Sequence, residues 1–562
     1  MSKPVYVLGT GLSHNGSTAL LRDGRVCVAI EKERITRRKH DGGNDSAAIA
    51  YCLEAEGITL ADVSLVVQTA NFEIPARERF KGPRPFAAAD HPPLVSISHH
   101  LAHAWSAAGT SPFDDCAIMV VDGCGSPFEQ CIDLDGAVRP DAPANAGTWC
   151  EKDSFYRFDG RDMVPLVKDF SLIERGKRSP LQMPTTRHSI GGFYAAVSHY
   201  VFGNLDDVGK LMGLAPYGRP GAVPHRAFAI RDGRIFVEEA WRQTLDRPAS
   251  GRDAFKADFQ YYADVAWWAQ REVEAAVAAL FRDRLARFPA DRVAYAGGVA
   301  LNAVANARLL DEGVVDRLHI EPAAGDNGVA LGCAFYGWIH VLGRDKVPHD
   351  GSTCFGRRYT KDEVRAALAG APGDWEIAEP DAETLFGHVA DSIADGRTIG
   401  WFRDGCEFGP RALGRRSILA HPGHPGMGDH INANIKFRED FRPFAPAVLP
   451  EFARDWFETG RDSPYMILID RTKPEAVDRL HNVTHVDGTA RVQTIDPQWN
   501  PGFFRLVEAF HARTGIPVLL NTSFNRRGMP IVETPAEAVA LFAETALDIL
   551  VLQDVVVTKR TA

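Results

Sequence analysis

Short apolar runs ending in glycine alternate along this chain with longer stretches of helical periodicity, and that alternation predicts an α/β fold. Val5-Tyr6-Val7-Leu8-Gly9 reads as a strand, Thr18 to Arg22 as a second and Val26 to Ile30 as a third, with Asp23-Gly24 marking the hairpin between the last two. Ser46 to Ala55 has helical spacing, Val63 to Val67 is a strand, and a helix runs from about His99 to Ala108. Cys116 to Val121 is apolar throughout, as in a strand buried on both faces. Further on, a helix opens at Ile190 and an Ala-rich helix spans Asp264 to Arg287. Val293 to Ala296 is a strand, and a helix passes through Leu331. The last third adds a helix over Lys361 to Ala369 and strands at Ile399 to Phe402 and Val518 to Leu520. Gly343 to Gly356 carries Pro348, His349 and Gly351 and reads as a linker, which predicts domains at residues 1–347 and 356–562. No internal sequence repeat or low-complexity segment is present.

Composition narrows the class. The chain has 562 residues, enough for two domains or more, with 45% hydrophobic and 24% charged residues. Its formal net charge is -10, and no Lys/Arg-rich block stands out, which argues against a nucleic-acid partner. The nine cysteines are scattered without a C-x-x-C pair, so a disulfide framework or zinc ribbon is disfavoured and a reducing cytoplasm is expected. No apolar stretch reaches ~18 residues, and no membrane span or signal peptide is expected.

Candidate chemistry gathers in the first half. His99 and His103 are one helical turn apart and share a face, where one ion can take both imidazoles. The zinc-protease motif is excluded, because His100 stands where that motif needs Glu. Taken alone, the pair could be a polar helix start. Asp122 closes a strand and opens Gly123-Cys124-Gly125-Ser126, a common place for a metal–phosphate group, though an Asx turn has the same look. Asp326 precedes a helix and could be a plain N-cap. The loop Thr10 to Ser17 is rich in Gly and hydroxyls, and Gly297-Gly298 with Asn302 lies at a strand-to-helix turn that suits a nucleotide. Glu31 to His40 is a charged run, either a solvated helix face or an anion site. Gly209-Lys210 lacks the spacing of a P-loop. In the second half, Arg and Lys recur beside Gly, Pro and Asn turns, a composition suited to phosphate and carboxylate.

The order hairpin, strand–Asp–Gly, Gly-Gly-x-x-x-Asn resembles the actin/sugar-kinase ATPase superfamily, two similar α/β lobes around a nucleotide cleft. Longer segments resemble the O-carbamoyltransferases of the antibiotic-tailoring and nodulation type. They are Glu33 to His40, His99-His-Leu-Ala-His103, Val121-Asp-Gly123, Gly209 to Ala215, Gly297-Gly-Val299, Gly409-Pro-Arg-Ala-Leu-Gly414, Arg442-Pro-Phe-Ala-Pro446 and Leu520 to Asn525. That resemblance implies an N-terminal actin-like ATPase domain and a C-terminal α+β domain similar to threonylcarbamoyl-adenylate synthase. Carbamoyl phosphate and ATP would give carbamoyl-adenylate and pyrophosphate, and the carbamoyl group would pass to a hydroxyl of a small natural product, a glycosylated or macrocyclic antibiotic. His99, His103, Asp122 and Asp326 would hold Fe²⁺, although the set suits other divalent ions and Mg²⁺ is a further cofactor candidate. His14 would be the general base and Lys39 would hold the adenylate. Lys436, Arg411, Arg491, Asn521 and Ser523 would bind carbamoyl phosphate and ATP, with Gly297, Gly298 and Asn302 on the nucleotide of the first domain. One departure stands out: Asn15 follows His14 where the family commonly has Asp.

Three alternatives stay open at this level. A sugar or acetate kinase on the same ATPase fold would release ADP. A carbamoyl-transferring maturation factor would add zinc-finger cysteine pairs, which this sequence lacks. A nucleotide-binding sensor would show no turnover. Acceptor contacts are expected on Pro83 to Pro93 and Arg175 to Ser189, where no motif is readable, and a homodimer is an open option.

Overall fold

Among the described residues, the first part of the chain builds two five-stranded sheets of one topology. The first contains β1 Tyr6–Gly11, β2 Ser17–Arg22, β3 Arg25–Glu31, β4 Val63–Thr69 and β5 Leu94–Ile97 in the order β3-β2-β1-β4-β5. The second contains β6 Cys116–Val121, β7 Thr148–Phe158 and β8 Met163–Ile173. A separate hairpin follows, β9 Phe228–Arg231 and β10 Arg234–Val237. β11 Arg292–Ala296 and β12 Arg317–Ile320 complete this sheet in the order β12-β11-β6-β7-β8. In each sheet three successive strands pair antiparallel, and two later strands add in parallel beside the first of them. This duplicated order is the actin-like arrangement. β1 and β6 are buried along their whole length, which is why they read as unbroken apolar runs. The computed structural model describes residues 3–69, 84–87, 91–137, 148–173, 189–247, 253–372 and 374–559. Of the expected acceptor loops, Pro83, residues 88–90 and residues 175–188 lie outside these.

The helices His99–Thr110 and Val329–Phe335 cross closely, and glycine permits it. A Cβ on Gly332 would lie 1.7 Å from the carbonyl oxygen of Ala102, and one on Gly9 of β1 would lie 2.0 Å from that of Ala330. Only a residue without a side chain fits either crossing. The Val329–Phe335 helix is thereby pressed against both the histidine helix and β1, and Asp326 sits just before its start.

Two compact units divide the chain: Met1–Lys32 with His40–His349, and Glu33–Lys39 with Asp350–Ala562. The second is α+β. Its described residues form an eight-stranded mixed sheet, in which Ile399–Phe402, Arg416–Ala420, Val518–Ser523 and Ala445–Val448 lie side by side. Leu385, Val389, Leu506 and Phe510 from two helices pack on Trp401, Ile418 and Leu519 of that sheet in one core. The segment Glu33–Lys39 joins this unit through buried charge. Arg34 donates to the carbonyl of Gly409 at 2.7 Å, and Arg37 to those of Ile531 at 2.7 Å and Pro530 at 2.9 Å. The solvated helix face open to this run in sequence does not hold at Arg34: the helix covers only Lys32–Thr36 and Arg34 is buried, whereas Arg38 and Lys39 are exposed. No helix among the described residues is long and apolar enough to cross a membrane.

Candidate active site

The first turn of the histidine helix presents His99 and His103 to the end of β6 and to the turn before the Val329–Phe335 helix. Their Nε2 atoms are 3.1 Å apart. His99 Nε2 lies 3.3 Å from both Asp122 Oδ2 and Asp326 Oδ1, and His103 Nε2 lies 4.0 Å and 3.7 Å from the same two oxygens. All four side chains are buried, and their nearest donor atoms fall within 4.8 Å of one another. Four donors each ~2.1 Å from one ion lie ~3.4 Å apart in a tetrahedral set, so the residues fit a divalent cation. Electrostatics agree. Burial disfavours charge on His99, yet Asp326 and Asp122 lift its proton affinity until its pKa is about 10. Burial opposes the charge on Asp122 as well, but His99 and His103 hold its pKa at about 2. The site demands positive charge between its carboxylates, from a proton or an ion. Gly298 N–H donates to Asp122 Oδ1 at 3.1 Å, and Gly297, at φ +94°, lets β11 approach the carbonyl of Val121, which a Cβ would meet at 2.3 Å. Asp326 opens the short turn Asp326–Gly328 and faces the imidazoles.

Asp326 also reaches His14, whose Nδ1 is 3.0 Å from Oδ2. Partial desolvation disfavours the His14 imidazolium, but Asp326, with Asp206 and Asp122 behind it, raises the pKa to about 9. Asn15 stands between two rings: its Nδ2 is 3.2 Å from His14 Nε2 and its Oδ1 is 2.8 Å from His40 Nδ1. At the Asp position the amide thus meets both rings without the negative charge that a carboxylate would bring. Asn302 faces inward. Its side chain caps the Ala303–Asp311 helix and exchanges two hydrogen bonds with Gln270, each 3.1 Å.

The second unit gathers cations. Lys436 ends a single π turn, Asn432–Lys436, and is buried. Its ammonium donates to Ser523 O at 2.5 Å, Ser523 Oγ at 3.2 Å and Asn525 Oδ1 at 2.6 Å. Burial and the charges of Arg438, Arg442 and Lys39 push its pKa well below the lysine range. Arg491 is lowered by burial and by Arg411, Arg442 and Arg438, all positive, and Arg411 is lowered to about 10 by burial and Arg442. Asn521 donates to Gln493 at 2.8 Å and to the carbonyl of Ala412 at 3.2 Å. Glu407 shapes the loop that carries Arg411, accepting from the N–H groups of Leu413 and Arg415 at 2.7 Å each. The charge of Arg442 acts on Lys436, Arg411 and Arg491 alike, and Lys39 adds its charge to Lys436. Arg438 and Arg442 belong to the same cluster although sequence reasoning gave them no role. Their signal was the recurrence of Arg beside Asn and Pro turns in Asn432 to Pro446.

The family described as Carbamoyltransferase N-terminus matches residues 7–83 and 85–335, and that described as Carbamoyltransferase C-terminus matches residues 390–559. An uncharacterized protein of Synechocystis is 32% identical, with 99% of this chain and 97% of that protein covered. Nodulation protein NolNO of Sinorhizobium fredii is 34% identical over 98% of this chain and 79% of that protein. Nodulation protein NolO of Bradyrhizobium diazoefficiens is 36% identical over 83% and 79%.

Proposed function

The chain belongs to the carbamoyltransferase family, and from that premise we propose that it is an ATP-dependent O-carbamoyltransferase that draws on carbamoyl phosphate and acts on a hydroxyl of a small natural product. The observation that carries this reading is the cation cluster formed by buried Lys436 and the part-buried Arg411, Arg438 and Arg491. Like charges held together at the cost of desolvation call for a ligand with several negative charges. Carbamoyl phosphate and the triphosphate of ATP meet that demand.

Atom balance fixes the first half-reaction. Water cleaves carbamoyl phosphate to carbamate and orthophosphate. A carbamate oxygen then bonds to the α-phosphorus of ATP, the α–β bridge breaks, and pyrophosphate leaves with carbamoyl-adenylate remaining. Arg411, Arg491, Lys436 and Arg442 would neutralise the charge that builds on phosphorus, and Asn521 and Ser523 would orient the carbamoyl end. Lys39 would hold the adenylate phosphate.

In the second half-reaction the acceptor oxygen bonds to the carbamoyl carbon, and the bond to the adenylate oxygen breaks, releasing AMP. His14 would take the hydroxyl proton only in its neutral form, the minority form near pH 7 given a pKa of about 9, and Asp326 at 3.0 Å would steady the imidazolium that results. His99, His103, Asp122 and Asp326 would hold a divalent ion, Fe²⁺ or another, which when bound supplies a Lewis acid for a phosphate or carbonyl oxygen. Gly297 and Gly298 keep the adjoining strand ends close.

The test is to incubate purified protein with ATP and carbamoyl phosphate and no acceptor, then assay pyrophosphate, phosphate, AMP and ADP. Pyrophosphate that depends on carbamoyl phosphate is the expected result. ADP formed only when sugars are added, without pyrophosphate, would return the chain to the kinase class.

A further inference from the structure

We infer that Glu151 is a positioning residue that ties the histidine helix to the Asp122 turn and so sets His99 and His103 against Asp122. The inference rests on reading those residues as a metal set. Glu151 lies on β7 and is fully buried. One oxygen, Oε2, accepts from two backbone N–H groups: His100 at 3.1 Å, in the first turn of the helix, and Ser126 at 2.8 Å, in the turn after Asp122. The main chain of Glu151 fixes β7 to the turn side of this tie, since its carbonyl accepts from Gly125 at 2.8 Å and its N–H donates to the carbonyl of Ser126 at 3.0 Å. Ser126 completes the loop, its Oγ accepting from His99 N–H at 2.9 Å. The helix that supplies two imidazoles and the turn that supplies one carboxylate therefore meet on one glutamate oxygen.

The other oxygen is held by charge. Oε1 is 2.6 Å from Lys168 Nζ, which is fully buried and lies 2.5 Å from Asp133 Oδ2. Asp133 accepts from Ser98 Oγ at 2.5 Å, directly ahead of the same helix, and from Tyr156 Oη at 2.8 Å. Stability alone does not call for such a network, because replacing a buried ion group with apolar residues of similar volume is often neutral or favourable. Placement does call for it. An anchored carboxylate satisfies an otherwise free N–H at the helix N-terminus, and together with the His99 N–H bond to Ser126 it holds the first turn against the Asp122 loop.

Two double variants separate the bridge from the charge. Glu151→Gln with Lys168→Met keeps an acceptor oxygen, whereas Glu151→Met with Lys168→Met removes it at similar volume and equal charge. Full-length protein is stripped and titrated with Co²⁺, reading dissociation constant and visible absorption. The Gln variant should match wild type within about threefold, and the Met variant should bind about 10–100-fold more weakly with an altered spectrum. Equal affinity and spectrum for the two variants would overturn the proposal. If the Met variant does not fold, the Gln variant decides: wild-type affinity upholds the bridge, and a tenfold loss overturns it. If wild type shows no histidine-ligated cobalt spectrum, the metal reading fails by itself. Amide exchange then judges the tie: protection at residues 98–104 and 122–127 should fall together in the Met variant and persist in the Gln variant. Loss at only one segment, or at neither, would refute it.

Discussion

Arg491 offers a sharp test, because its replacement should stabilise the resting protein while removing its ligand. The guanidinium is largely desolvated, and the charges acting on it, from Arg411, Arg442 and Arg438, are all positive. Its Nε has no hydrogen-bond partner among the described residues. Arg491→Met keeps most of the aliphatic volume and deletes one repelling charge, a change of order 1–2 kcal/mol in favour of the folded state. For a unit of roughly 220 residues, 1 kcal/mol moves the midpoint by ~2–4 °C, so the ligand-free melting temperature of the second unit should rise by ~2–8 °C. With ATP at 100 times its dissociation constant the wild-type protein gains ~2.7 kcal/mol, and the variant should gain nothing at the same concentration. Differential scanning calorimetry with and without ATP reads both numbers. A variant that melts lower without ligand, or that ATP stabilises as much as wild type, would refute the account of the cluster as a polyanion site held at a cost.

Asp326→Asn should weaken Co²⁺ binding by about 100-fold or more, measured by chelator competition, since the lost charge serves both imidazoles and His14. Gly332→Ala should cost about 3 kcal/mol in urea denaturation and loosen metal binding as well, because the new Cβ would collide with the backbone at Ala102. Glu321, buried beside Thr110 near the end of the histidine helix, has its pKa raised by burial to about 7. A carboxyl with a raised folded pKa stabilises below its unfolded value near 4.5 and loses that contribution as pH climbs through 7. Unfolding free energy should therefore drop by about 3 kcal/mol between pH 4.5 and pH 7 from this group, and Glu321→Gln should flatten that part of the profile.

Features with a local period were open to reading in the sequence. The His99–His103 spacing carried through because a helix repeats every 3.6 residues and fixes which residues share a face. Asp122 was visible as the acid that ends an apolar run. Asp326 was ambiguous, since an N-cap and a ligand look alike until the crossing at Gly332 puts the acid beside two imidazoles. The doubled sheet order was reached only through the resemblance to the actin/sugar-kinase superfamily, not from any local period. Strand order is a long-range property, and the lobes share topology without shared residues. Glu33 to His40 stayed open between a solvated face and an anion site, since a run of charges ordinarily faces water, and only distant carbonyls at Gly409, Pro530 and Ile531 explain why Arg34 is buried and Arg37 half-buried. Arg438 and Arg442 escaped because their weight comes from gathering with Arg491, about fifty positions away.

The short segment Glu33–Lys39 has a consequence for how this chain is made. Its Arg34 must find a partner 375 positions downstream. At ribosomal speeds of ~5–20 residues per second, the wait is ~20–75 s. During that interval the first sheet can close around a gap in its own sequence while a charged strap stays outside it. The second unit, for its part, is made after the first yet needs residues that precede most of the first. Cutting the gene near residue 350 would yield a C-terminal product without the strap that covers the carbonyls at 409, 530 and 531. The second unit is thus complete only with a segment translated hundreds of residues ahead of the rest of it.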